Sequence, residues 1–158
     1  MSLSIVLSLI GLAISVGFGA IGSSIGVAYV ANIGTGLLAK EPQKFPQVLA
    51  LAALPSTQAL YGLLFGFIIL IKIGLLGGTP IEFDTNTGIA IMLSALPVGI
   101  ACLISGIAQG QIAANGLKIL AEKPQNLSQA IVLAALVESF AVFGLVISLL
   151  IVFVGIQF

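Results

Sequence analysis

"LLAKEPQKFPQVLALAAL" (residues 37–54) returns as "ILAEKPQNLSQAIVLAAL" (residues 119–136). A shift of 82 residues aligns the two halves of the chain without a gap. From Ser15 to Leu63, 18 of 49 positions are identical to those 82 later, which shared hydrophobicity alone does not produce. Each copy holds two long apolar segments joined by a lysine-bearing loop, so each reads as a helical hairpin. Two helices are an even number, and both copies therefore point the same way. The duplication is parallel, unlike the inverted repeats of many transporters.

Composition names the solvent. The chain is 59% hydrophobic and 6% charged, with mean hydropathy +1.29. A soluble domain carries about 25% charged residues. Too little charge is present to cover a water-facing surface, so lipid is the main solvent. The formal net charge is zero, with no Arg, His or Trp, and a basic footprint for nucleic acid is absent. Cys102 is the single cysteine. It excludes an internal disulfide and a cysteine metal cluster.

The apolar segments read as helices over 3–39, 47–76, 88–121 and 128–157. About 20 residues at 1.5 Å each cross a hydrocarbon core, so each helix is tilted or projects beyond it. Sustained alternation is missing, which argues against a β-barrel. The expected fold is an all-α membrane protein of four transmembrane helices. Its two tandem hairpins occupy 1–78 and 86–158. The opening "MSLSIVLSLIGL" lacks a positive n-region and runs straight into a long helix, so it reads as retained rather than as a cleaved leader.

Loop charge sets the expected orientation. The loops 40–46 and 122–127 and their flanks hold Lys40, Lys44, Lys118 and Lys123. The middle connection, 77–88, holds Glu82 and Asp84 and no lysine. Positive residues stay cytoplasmic. The two lysine loops are therefore expected in the cytoplasm, and both termini outside.

"LAALVESFAVFGLVISLLIVF" (133–153) carries one carboxylate, Glu138, inside an otherwise apolar helix. An ionised carboxylate near a bilayer centre costs at least about 2.5–3.5 kcal/mol. Gln58, Thr57 and Gln109 fall at its depth, roughly 15–18 Å from the lysine-loop ends of their helices. Tyr61 lies one turn on from Thr57. These are hard oxygen donors, suited to a small hard cation. The other reading is packing glue, with each amide or hydroxyl bonding between helices. Pro55 has no N–H and is expected to bend the second helix and free a carbonyl nearby. In the 82-residue register Glu138 lies over Ser56, as if a carboxylate in each ancestral hairpin had been lost from the first.

Small residues line two helices: Gly11, Ser15, Gly19, Gly22, Ser23 and Gly26 in the first, Gly99, Cys102, Gly106, Gly110, Ala113 and Ala114 in the third. Phe65, Phe67, Phe140, Phe143 and Phe153 thicken the other two. Thin helices inside and thick ones outside make a wedge, and wedges close into a ring. Close packing of a four-helix monomer is the plainer alternative. "GFGAIG" (17–22) fits a dinucleotide fingerprint, but it lies inside a membrane helix with no strand before it. "NLS" (126–128) lies in a loop expected in the cytoplasm and is not expected to be glycosylated.

"LPSTQALYG" (54–62), "SGIAQGQIAANG" (105–116) and "LVESFAVFGLVISLL" (136–150) together carry a family resemblance over nearly the whole chain. The chain resembles the proteolipid (c or K) subunits of V-type rotary ATPases, above all the duplicated sodium-translocating bacterial form. The resemblance implies a rotor ring of identical subunits in a bacterial plasma membrane, turned by ATP hydrolysis in a separate soluble sector. It implies sodium ligands at Glu138, Gln109, Gln58, Thr57 and the Leu54 backbone carbonyl, with Tyr61 hydrogen-bonding the carboxylate. It also implies a stator membrane subunit supplying an arginine. Lys40, Glu41, Lys44, Lys118, Glu122 and Lys123 are expected on one cytoplasmic rim, where central-stalk subunits would grip the ring; plain solvation and topology marking is the other reading of these charges. Ser56 and Ala59 depart from the glycines of sodium relatives, which touches only local packing. The chain itself has no nucleotide site and reads as a non-catalytic subunit.

Other readings stay beside this one. The same rotor with protons as cargo needs only the carboxylate. A small multidrug/proton antiporter also has four helices and one membrane glutamate, but needs an aromatic-lined pocket. A structural pore proteolipid is a third class. Particle size in detergent separates these last two classes from a rotor: a large closed ring supports the rotor and a dimer the antiporter.

Overall fold

A computed structural model of the chain describes residues 2–156. Four helices dominate it: α1 (Leu3–Leu38), α2 (Pro42–Lys72), α3 (Thr85–Glu122) and α4 (Pro124–Gly155). Each is long and apolar enough to cross a membrane, and no strand occurs among the described residues. In lipid every backbone group must be satisfied within the span, which a helix alone achieves. The hydroxyls follow the same rule. Ser8, Ser15, Ser24, Ser94 and Ser139 each donate to a carbonyl three or four residues back in their own helix.

The helix ends differ from the expected ones by a few residues, for local reasons. Pro42 and Pro124 each open a 3-10 turn that leads into α2 and α4. Proline is pre-organised for a first helical position. Both helices therefore start earlier than 47 and 128. Asp84 caps α3, its side chain accepting from the Thr87 N–H at 3.0 Å and from the Thr87 hydroxyl. That starts α3 at Thr85 rather than 88. Hydrogen bonds from Thr87 hold the Asp84 carboxyl below its ordinary value. α2 stops at Lys72, short of 76, where the chain turns through Gly74 and Gly78 at φ 76° and 85°. Only glycine adopts that region without strain. Residue 157, the expected end of the fourth helix, and the outermost residues 1 and 158 of the two hairpins lie outside the described residues.

α1 and α3 run side by side in the same direction and touch backbone to backbone. A Cβ on Gly22 would lie 2.6 Å from the Cys102 carbonyl oxygen, and one on Gly110 would lie 2.2 Å from the Gly26 Cα. Small residues permit this approach, which lipid cannot drive by hydrophobicity alone. α2 and α4 flank the pair. Phe67, Phe140, Phe143 and Phe153 point outward and are exposed. Phe65 is the exception among the five and is fully buried.

Two apolar clusters fill the interior. One, around Phe65, Ile69, Ile91 and Val98, lies toward the acidic loop. The other, around Val30, Leu51, Leu117 and Ala134, lies toward the lysine loops. Between them the core is interrupted by two fully buried side chains, Gln58 and Gln109.

One lysine of the expected rim is turned inward. Lys44 is 7% exposed. Its ammonium donates to Glu41 Oε1 at 3.0 Å and to the Leu120 carbonyl at 3.2 Å, with Glu41 Oε2 at 2.9 Å. The last carbonyls of α3 lack intrahelical partners and carry the negative end of its dipole, which is where a cation is favoured. Lys44 thus ties one lysine loop to the other, and the outward charge is left to its neighbours.

Candidate ion-binding site

The site begins with a break in α2. Leu54–Ser56 form a 3-10 turn at Pro55, between two α-helical stretches. The Leu54 carbonyl accepts from the Thr57 N–H and, at 3.0 Å, from the Thr57 hydroxyl. A freed donor accompanies the break: the Ala59 N–H donates to Ser23 Oγ of α1 at 2.8 Å. The matching stretch of α4, Leu136–Glu138, is regular helix, because Val137 stands where the first half has Pro55. The duplicated hairpins therefore differ at this position: the first is broken at Pro55 and the second is not.

Hydrogen bonds join the polar residues in two pairs across helices. The Gln58 Nε2 amide donates to Gln109 Oε1 at 2.6 Å, linking α2 and α3. The Tyr61 hydroxyl donates to Glu138 Oε1 at 2.5 Å, linking α2 and α4. Among the described residues no hydrogen bond joins Glu138 to either glutamine or to Thr57. Gln58 Oε1 and Gln109 Nε2 remain buried without partners. A buried polar atom left unpaired costs about 1–3 kcal/mol. An unpaired amide oxygen at the level of a carboxylate is the kind of atom a hard cation takes. The donor set therefore fits an oxygen-coordinated ion.

Glu138 is half-buried, and its outward neighbours Leu136, Phe140 and Phe143 are exposed and apolar. The carboxylate thus lies at the rim of the bundle, held by Tyr61 on its inner side and flanked by exposed apolar residues on its outer side. Phe140 and Phe143 meet edge to face with centroids 6.3 Å apart, and they shape that rim.

Three further buried or partner-forming serines were not legible in the sequence. Ser23 holds the Ala59 N–H, and Ser148 Oγ accepts from the Val98 N–H at 3.0 Å, beside Pro97 within α3. Ser105 is buried with its hydroxyl unpartnered. The signal available was a proline in a membrane helix, read at Pro55 and equally present at Pro97. Which serine answers it depends on helix rotation.

Comparison with known proteins covers most of the chain. The family model for the ATP synthase C-subunit matches residues 10–69 and again 92–151. The second match starts 82 residues after the first (92 against 10), the offset of the internal repeat. The V-type sodium ATPase subunit K of Enterococcus hirae is 38% identical over 147 residues, 93% of this chain and 90% of that protein. The A-type ATP synthase subunit K of Methanocaldococcus jannaschii is 34% identical over 146 residues, 92% of this chain but 61% of that protein.

Proposed function

This chain belongs to the ATP synthase C-subunit family, and from that membership we propose that it is the ion-carrying subunit of a V-type rotor ring, with sodium as cargo. The observation that carries the reading is the half-buried Glu138 held by Tyr61, beside a buried glutamine pair with an unpartnered oxygen. Glu138, Gln109, Gln58, Thr57 and the Leu54 carbonyl are the ligands in this reading. Tyr61 orients the carboxylate. The name of the Enterococcus hirae relative supports sodium.

Electrostatics supplies the mechanism. A bare carboxylate at the lipid-facing rim is disfavoured by a few kcal/mol, at least about 2.5–3.5. A bound sodium ion cancels its charge, and the loaded site then passes through lipid. An arginine on a separate stator membrane subunit holds Glu138 charged while the ion leaves; this chain has no arginine. Carrying each ion against the potential costs about 2.3 kcal/mol per 100 mV. ATP hydrolysis in a soluble sector provides it through stalk subunits. Identical copies form the ring in a bacterial plasma membrane, with the lysine loops cytoplasmic and the termini outside. Lys40, Lys118 and Lys123 are the rim lysines left for the stalk once Lys44 is engaged internally.

A proton rotor is the second reading, and one observation favours it. Tyr61 satisfies one oxygen of Glu138 and the glutamines bond each other, so neither pair relies on a cation to hold it together. The test is competition at Glu138. A hydrophobic carbodiimide modifies a protonated carboxyl within lipid reach, and Glu138 is the expected adduct site. Sodium should protect it, and protection should weaken as pH falls and protons take the carboxylate. Glu138→Gln should abolish both labelling and ion transport while the assembled particle keeps its size. If millimolar sodium gives no protection at any pH at which Glu138 reacts, protons are the cargo. An adduct on Glu41, Glu82, Asp84 or Glu122 instead rejects the site.

A further inference from the structure

The 82-residue register places Ser23 over Ser105 and Ala59 over Ala141, with the residue type kept at both positions. In the first half the break at Pro55 frees the Ala59 N–H, and Ser23 Oγ accepts from it at 2.8 Å. In the second half Val137 replaces Pro55, and the helix is regular from Leu127 to Leu150. The Ala141 N–H lies inside that helix, where the carbonyl four residues back accepts from it. Ser105 thus inherits the position of Ser23 but not its partner. It is 3% exposed, and its hydroxyl is unpaired. Every other serine among the described residues makes a side-chain hydrogen bond.

A second unpaired group shares its helix face. Gln109 is one turn further along α3 and fully buried, and its Nε2 has no partner. Helical side chains lean toward the N-terminus of the helix, so the long Gln109 side chain reaches back over residue 105. An unpaired donor and an unpaired hydroxyl therefore stand one above the other. On its other flank Ser105 borders Val137 and Phe140 of α4, the residues on either side of Glu138 in the chain. Its hydroxyl lies in the layer of the carboxylate, between that helix and the glutamine.

We propose that Ser105 is a positioning residue of the ion site, its hydroxyl accepting from Gln109 Nε2 when a cation takes the Gln109 oxygen. The proposal rests on the sodium reading above and adds the residue that orients one of its ligands. The two ends of an amide have nearly the same shape and opposite chemistry. A cation needs the oxygen and is repelled by the NH2 group. An acceptor fixed at the nitrogen end therefore decides which end faces the ion. The serine proton goes to a carbonyl one turn back in α3, as it does for Ser94 of the same helix. The bonds then run in series. Gln58 Nε2 donates to Gln109 Oε1, and Gln109 Nε2 donates to Ser105 Oγ. Gln58 Oε1 and the second lone pair of Gln109 Oε1 are left for the cation. A proton on Glu138 uses none of this, so Ser105 acts on sodium and not on the carboxyl itself.

Carbodiimide labelling of Glu138 tests this on the full chain in membranes. Ser105→Ala should raise the sodium concentration that half-protects Glu138 by about fivefold, the worth of one neutral hydrogen bond. The pH midpoint of labelling without sodium should stay where it is. Ser105→Thr keeps the hydroxyl, and the groove beside it has room for the added methyl, so its half-protection point should match the unmodified chain. Thermal unfolding without sodium should not fall in Ser105→Ala, because an unpaired hydroxyl is all that is removed. An unchanged half-protection point in Ser105→Ala overturns the proposal and leaves the sodium reading standing. An equal loss in Ser105→Thr, or a shift of the sodium-free pH midpoint, also overturns it. No protection of the unmodified chain at any pH overturns the sodium reading and the proposal together.

Discussion

The Tyr61 hydroxyl donates to Glu138 across 77 residues of chain, from the middle of α2 to the middle of α4. It is the only hydrogen bond that the Glu138 carboxylate makes among the described residues. The carboxylate is thereby fixed at one oxygen, and the other accepts no hydrogen bond among the described residues.

Tyr61→Phe should weaken cation binding without unfolding the protein. Phenylalanine keeps the ring and removes one hydrogen bond to a charged acceptor, worth about 1.5–3 kcal/mol. At about 1.4 kcal/mol per tenfold, the sodium concentration that half-protects Glu138 from carbodiimide should rise about tenfold or more. An unchanged half-protection point would remove Tyr61 from the site.

The glutamine pair separates ligand from glue by a double-mutant cycle. Gln109→Val alone leaves Gln58 Nε2 unpaired, and Gln58→Leu alone leaves Gln109 Oε1 unpaired, each at a cost of about 1–3 kcal/mol in stability. The double variant should recover part of that in thermal unfolding, because neither amide then remains buried alone. Sodium protection should stay lost in the double variant as in the singles. Recovery of protection together with stability would reduce both residues to packing.

Lys44→Met should lower the unfolding temperature by a few degrees while leaving coupling to the soluble sector intact. Methionine retains the packing of the stem but drops the bonds to Glu41 and to the Leu120 carbonyl. Charge reversal at Lys40 or Lys123 should do the opposite, weakening stalk attachment at unchanged stability. Co-purification with stalk subunits reads the one effect and a thermal melt reads the other.

The Asp84 cap gives α3 a pH-dependent start. Its pKa is lowered chiefly by the hydrogen bond from the Thr87 hydroxyl. A depressed carboxyl stabilises the fold above its unfolded value, and the contribution is lost as pH falls through the lower folded value. Amide exchange at Thr87 and Gly88 should therefore speed up only below about pH 4, the ordinary range of aspartate. Asp84→Asn, which caps without titrating, should abolish that dependence.

The four spans, the parallel duplication and the depth of Glu138 were all legible in the sequence. Hydropathy is a one-dimensional property set by the solvent of each segment, and an 82-residue repeat needs no structure to be counted. The same reasoning missed Pro97, where the helix continues and Ser148 answers the Val98 N–H. It also placed Lys44 on an open rim, since a lysine in a loop is ordinarily solvated and nothing local reveals a free carbonyl at Leu120. What the tertiary structure alone decided is pairing. Ala59 with Ser23, Gln58 with Gln109, Lys44 with Leu120 and Tyr61 with Glu138 are contacts 36, 51, 76 and 77 residues apart. Depth along a helix follows from counting residues, but partnership depends on how each helix is rotated about its axis. The glycines of α1 and α3 set that rotation by the only faces on which the two backbones can meet.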